Sequence, residues 1–205
     1  MLKIGIIGSG FGLYGLLPAF NSLNNCQVVS ICGRRTPRLL NYCRKIGLKE
    51  IYTDWRLMLE KEPLDVLALA VIPEVQYEIA KEAIKLGINI FAEKPLAANY
   101  AQAKELFAIA QKKKIKHAID FLYPEIQEWK KVKQLMEEKV LGKLEQLYVN
   151  WDFPMPGIKS ARPIWKSNIK KGGGALSYYF SHSLHYLEYF AGEIVDLKSN
   201  FFYSN

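Results

Sequence analysis

Leu2-Lys3-Ile4-Gly5-Ile6-Ile7-Gly8-Ser9-Gly10-Phe11-Gly12 is the stretch from which the fold of this chain can be read. Residues 2–7 are a short apolar run of the kind buried on both faces of a parallel sheet. Glycines 8, 10 and 12 follow at once, and then an apolar helical stretch over 13–23. Strand, glycine turn and helix together meet the needs of a nucleotide pyrophosphate. Gly8 allows a tight turn, Gly10 lets backbone approach a phosphate, and the helix start offers free N–H groups at a positive dipole end. The third glycine comes one position earlier than in G-x-G-x-x-G, with Gly15 a further small residue one turn on. Taken alone, the turn is also compatible with glycines that merely close a βα connection.

The second strand is expected over 27–32, ended by Gly33-Arg34-Arg35. Thr36 and Pro37 then open a helix, as N-cap and first helical residue. An NAD site usually carries Asp or Glu here, ~20 residues past the glycines, whereas an NADP site tolerates a basic residue for the 2′-phosphate. No acid occurs between Val28 and Leu40; Ser30, Arg34 and Arg35 are available instead. That favours NADP over NAD, with solvated turn arginines as the plainer alternative.

Further along, Ile51-Tyr52 ends a short strand and Thr53-Asp54 caps a helix through Lys61. Residues 64–72 are a nearly pure apolar run, broken by Pro73, which begins a helix to Leu86 that Gly87 terminates. A strand over 88–92 leads to Glu93-Lys94-Pro95, and Asn99 with Gln102 caps the next helix. A strand over 115–121 and a long helix over 124–140 follow. Strands alternating with helices imply an α/β fold: a Rossmann-type, doubly wound parallel sheet over residues 1–121. Beyond it, 122–205 reads as a linking helix and a partial α+β domain. Residues 144–153 alternate as an antiparallel strand would, a helical stretch runs to about Ala191, and 195–203 looks like another strand.

Composition narrows the function classes. Half of the 205 residues are hydrophobic, and no apolar run approaches the ~20 residues of a membrane span. The N-terminal residues lack a signal-peptide pattern. Cys26, Cys32 and Cys43 have no metal or redox spacing and read as reduced thiols of a cytoplasmic protein. The net charge of +8 comes mostly from lysines dispersed along amphipathic helices, and no nucleic-acid motif accompanies them. Small anionic ligands, not nucleic acid or membrane, are the expected partners.

The chain resembles the Gfo/Idh/MocA family of NAD(P)-dependent oxidoreductases. The resemblance is carried by the Ile6–Gly12 turn, Leu17-Pro18-Ala19-Phe20, Tyr52-Thr53-Asp54, Asp65-Val66, Ala92-Glu93-Lys94-Pro95-Leu96, Trp165 and Gly172-Gly173-Gly174-Ala175-Leu176, with His182 downstream. It implies hydride transfer between nicotinamide and a sugar, polyol or related small molecule. It makes Lys94 and His182 the catalytic pair, with Lys94 donating to the substrate oxygen, and implies that the Lys94-Pro95 peptide is often cis. With the glycine turn and the acid-free end of the second strand, it makes Gly8, Ser9, Gly10, Phe11, Gly12, Arg34, Arg35, Pro73, Gln76, Glu93 and Lys94 the cofactor-binding set. Three positions depart from the pattern: Tyr178 stands where relatives carry Asp, His185 where many carry Asp, and Gln76 where many carry His. A phenol is a poor general base at neutral pH, and an amide cannot shuttle a proton. His182 and His185 share a helical face, but nothing completes a metal site.

Two alternatives follow from these departures and from the few elements after residue 141: a dinucleotide-binding protein that turns nothing over, and a fragment of a longer dehydrogenase. On the fragment reading, homo-oligomer formation requires a complete second domain, catalysis is weak or absent, and Phe201, Phe202 and Tyr203 form an exposed patch that lowers solubility.

Overall fold

The computed structural model describes residues 1–140, 142–152, 164–200 and 202. Six strands form one sheet: β1 (Leu2–Ile7), β2 (Cys26–Cys32), β3 (Glu50–Tyr52), β4 (Val66–Leu69), β5 (Asn89–Glu93) and β6 (His117–Asp120). Their order is β3-β2-β1-β4-β5-β6, and every pairing is parallel. Chain order reverses between β1 and β4, which in such sheets opens a crevice beyond the carboxyl ends of the strands.

Helices cover both faces, as a parallel sheet requires. On one face Leu67 and Leu69 pack with Ile79, Ala83 and Leu106; on the other Ile4 and Ile6 pack with Leu13, Leu17 and Leu39. The expected caps form. Thr36 Oγ1 accepts from the Leu39 N–H at 3.2 Å to start α2 (Pro37–Ile46), and Asp54 Oδ1 accepts from Arg56 N–H at 2.9 Å to start α3 (Trp55–Lys61). Asn99 Oδ1 accepts from Gln102 N–H while Gln102 Oε1 accepts from Ala98 N–H, a reciprocal cap on α5 (Tyr100–Lys112). Pro73 opens α4 (Pro73–Lys85) as its first residue.

Several expected elements differ. The helix expected over 13–23 is a π-helical turn, Gly12–Leu16, followed by α1, Leu17–Asn21. Pro18 explains the wider turn, since its ring has no N–H and would press on the carbonyl one regular turn back. The helix expected over 124–140 begins as a 3-10 turn at Tyr123–Glu125, and α6 is Gln127–Glu137, because Ile126 between them is extended.

The antiparallel strands are not formed among the described residues. Residues 142–152 carry no strand, and neither do 192–200; Phe153, Phe201 and Tyr203 lie outside the described residues. A strand exists only with a neighbour ~4.8 Å away to bond, and no described segment pairs with either stretch. Alternation gave residues 144–153 a face but not, among the described residues, a partner. Phe202 is exposed. The last regular element is α7 (Ser181–Ala191), preceded by a π-helical turn, Ala175–Phe180. It packs Tyr186 against Trp129 and Tyr123, with Trp151 Nε1 donating to Tyr186 Oη at 2.8 Å. No helix of the described residues is long and apolar enough to cross a membrane.

Candidate active site

A cavity of about 1000 Å³ opens beyond the carboxyl ends of the strands. The turn after β1 contributes Gly8, Ser9, Gly10 and Phe11, and the turn after β2 contributes Arg34. Glu93 and Lys94 come from the end of β5, Asp120 from the end of β6, and Tyr178 and His182 from the C-terminal part. Residues far apart in sequence thus meet at one sheet edge.

The glycine turn is shaped to leave room. Gly8 has φ +126°, and a Cβ there would collide with the Ala70 carbonyl oxygen and lie 2.8 Å from its carbon. Gly10 borders open space: a Cβ built on it meets nothing within 4 Å, so the side chain would project where a phosphate needs backbone. These two positions fit a dinucleotide pyrophosphate. Gly12 has a different place, off the cavity, where a Cβ would stand 2.9 Å from Ile6 Cγ2. It permits close helix–strand packing, the part the third glycine plays in such turns.

Lys94 is the first residue beyond β5, and its peptide bond to Pro95 is cis. Its Nζ donates to the Tyr178 carbonyl oxygen at 2.8 Å and lies 3.9 Å from the centre of the Tyr178 ring. Burial lowers its pKa to about 8, reinforced by Lys166 and opposed by Glu93 and Asp120. Glu93 and Asp120 are register partners on adjacent strands. Burial, followed by a hydrogen bond to Asp120 and its charge, pushes the Glu93 carboxyl well above the usual range.

Gln76 is fully buried and does not line the cavity. Its Nε2 donates to the carbonyl oxygens of Glu93 at 2.6 Å and of Pro95 and Leu96 at 3.2 Å each, so the amide braces the turn that carries Lys94. Pro73, also buried, lies under Gly172, off the cavity. Arg35 is off it too, its Nη2 donating to the Ile51 carbonyl at 3.3 Å. Ser30, fully buried inside β2, does not line the cavity.

His182 is 9% exposed, with Phe121, Tyr123 and Trp151 rings around it. Its Nδ1 is buried without a partner among the described residues. Burial, then the charges of Lys94 and His185, lower its pKa to about 4, so the imidazole is neutral at pH 7. His185 stacks on Phe121, ring centres 4.3 Å apart. A pH effect on stability follows. Because the unfolded chain binds a proton near pH 6.5 and folded His182 only near 4, its contribution is full above 6.5 and lost as pH falls through 4. That loss amounts to at most about 3 kcal/mol. Glu93 works in the opposite direction below pH 8, so the comparison must be with His182→Gln. Urea midpoints of wild type are expected to fall relative to that variant between pH 7 and 4; parallel profiles would remove the assignment.

Sequence reasoning missed Asp120 and Lys166. Asp120 had a legible signal, a carboxylate closing a strand. Lys166, in the short turn Trp165–Ser167, had none.

A doubly wound sheet whose glycine turn opens into a crevice at the strand ends defines a dinucleotide-binding class of fold. Residues 2–121 match the model of the GFO_IDH_MocA oxidoreductase family with NAD-binding Rossmann fold, and 129–202 match the GFO/IDH/MocA C-terminal domain. The chain belongs to this family. It is 27% identical over 199 residues to an uncharacterized oxidoreductase of Synechocystis sp., covering 97% of this chain and 54% of that protein. It is 24% identical over 201 residues to the levoglucosan dehydrogenase of Pseudarthrobacter phenanthrenivorans, covering 94% and 52%. The WlbA dehydrogenase of Bordetella pertussis, solved with NADH and UDP-GlcNAcA, has the same fold, with a TM-score of 0.81, 20% identity, and coverage of 93% of this chain and 60% of that one. The chain therefore spans about half the length of the curated relatives it matches.

Proposed function

We propose that the chain is an NADP-preferring cytoplasmic oxidoreductase that moves a hydride between nicotinamide and a carbinol or ketone carbon of a sugar-like substrate. Residues 1–121 hold the dinucleotide and 122–205 face the substrate. The observation carrying this reading is Lys94: a half-buried ammonium group, braced by Gln76, in the same cavity as the open turn at Gly8 and Gly10. The dinucleotide, when bound, supplies the hydride chemistry. Lys94 Nζ donates to the reacting oxygen and stabilises the negative charge that develops there. His182, neutral at pH 7 and with Nδ1 unpartnered among the described residues, takes the hydroxyl proton in the oxidising direction and returns it in the reducing one. The sugar-like substrate is supported by the levoglucosan dehydrogenase among the relatives. The three free cysteines support a reducing compartment.

The NADP preference rests on this chain's own residues, since the Bordetella neighbour holds NADH. β2 ends without an acid, and of the two arginines Arg34 lines the cavity. NADPH is expected to bind more tightly than NADH, and Arg34→Ala to remove ~10-fold of that preference through loss of a charge-assisted contact. Titration followed by nicotinamide fluorescence measures both; tighter NADH binding in the unchanged protein rejects the preference.

A further inference from the structure

The lysine end of the cavity holds a second ammonium group. Lys166 Nζ lies 4.7 Å from the centre of the Tyr178 ring, the same ring that Lys94 Nζ approaches at 3.9 Å. Among the described residues neither ammonium is within ion-pair distance of a carboxylate. The cavity's own acids compensate only in part. Glu93 and Asp120 lie against each other, and burial with that mutual contact favours a retained proton on Glu93, leaving the pair short of one negative charge. Tyr178 offers a neutral ring face, which attracts cations but cancels no charge. The Lys166 charge reaches Lys94 and lowers its proton affinity, a repulsion that an anion placed between them relieves.

We propose that Lys94 and Lys166 form a binding site for an oxyanion, a carboxylate or phosphate whose oxygens bridge the two ammonium groups beside Tyr178. Charge-assisted N–H···O contacts of about 2.8 Å suit such a bridge. The carrier is an acidic group on the sugar-like substrate, since the pyrophosphate is assigned to the glycine turn. That carrier rests on the oxidoreductase reading, but the lysine pair itself is testable without it.

Calorimetric titration of wild type, Lys166→Gln and Lys166→Arg decides. D-glucuronate and D-glucose are titrated into protein saturated with NADP, and NADPH into protein alone. Lys166→Gln is expected to weaken glucuronate ~10-fold or more and to spare NADPH. Glucose is unchanged, and Lys166→Arg restores most of the affinity. Unchanged glucuronate binding, an equal loss for glucose, or a loss that falls on NADPH overturns the proposal. Should wild type bind no NADPH, the oxidoreductase reading fails by itself. Glucuronate and inorganic phosphate titrated into the dinucleotide-free protein then decide the lysine site: Lys166-dependent binding supports it, and its absence overturns it. Circular dichroism checks that each variant is folded, which is expected because the Lys166 side chain lies outside the core.

Discussion

Lys94→Ala is expected to lower turnover by ~10²–10³ while leaving dinucleotide affinity nearly unchanged. The ammonium group sits beyond β5, held by Gln76 from below, and on the proposed mechanism it meets charge that develops only as the hydride moves. An interaction made only in the transition state affects kcat and kcat/KM together. The glycine turn, which on the same proposal binds the pyrophosphate end, belongs to a different strand and keeps its shape. Steady-state kinetics with NADPH, paired with nicotinamide fluorescence titration, separates the two quantities. A fall in cofactor affinity as large as the fall in turnover would place Lys94 on the dinucleotide's phosphates or ribose instead.

The two glycines of the turn are expected to separate folding from binding. Gly8→Ala forces an L side chain to φ +126° and drives its Cβ into the Ala70 backbone, which cannot yield as a side-chain tip would. The cost is about 3 kcal/mol or more, and the urea midpoint should drop accordingly. Gly10→Ala meets open space, so its midpoint should match wild type, yet its methyl group occupies the phosphate's approach and dinucleotide binding should be lost. If Gly10→Ala binds NADPH normally, the turn is not the pyrophosphate cradle.

How far the site could be read from sequence differs residue by residue. Lys94 was legible because an apolar strand before it and Pro95 after it fix its position locally. Gln76 was legible as a position but misplaced in role. Its helix presents it to the Lys94 turn rather than to the cavity, and its partners are carbonyls 17 to 20 residues away. The two arginines after β2 are indistinguishable in sequence; only the path of the turn sends Arg34 to the cavity and Arg35 to the Ile51 carbonyl.

By itself the sequence determined the doubly wound sheet, the caps of its helices and the glycine turn. Each of these depends on periodicity or backbone freedom within a dozen residues, so the cause lies in the segment itself. The tertiary structure alone decided that Asp120 faces Glu93 and that Lys166 joins Lys94 at one tyrosine ring. It also decided that residues 142–152, for all their alternation, and residues 192–200 carry no strand. Those outcomes depend on which segments meet across the fold, and a side chain's charge or a strand's open hydrogen bonds acquire their effect only from the neighbour that arrives.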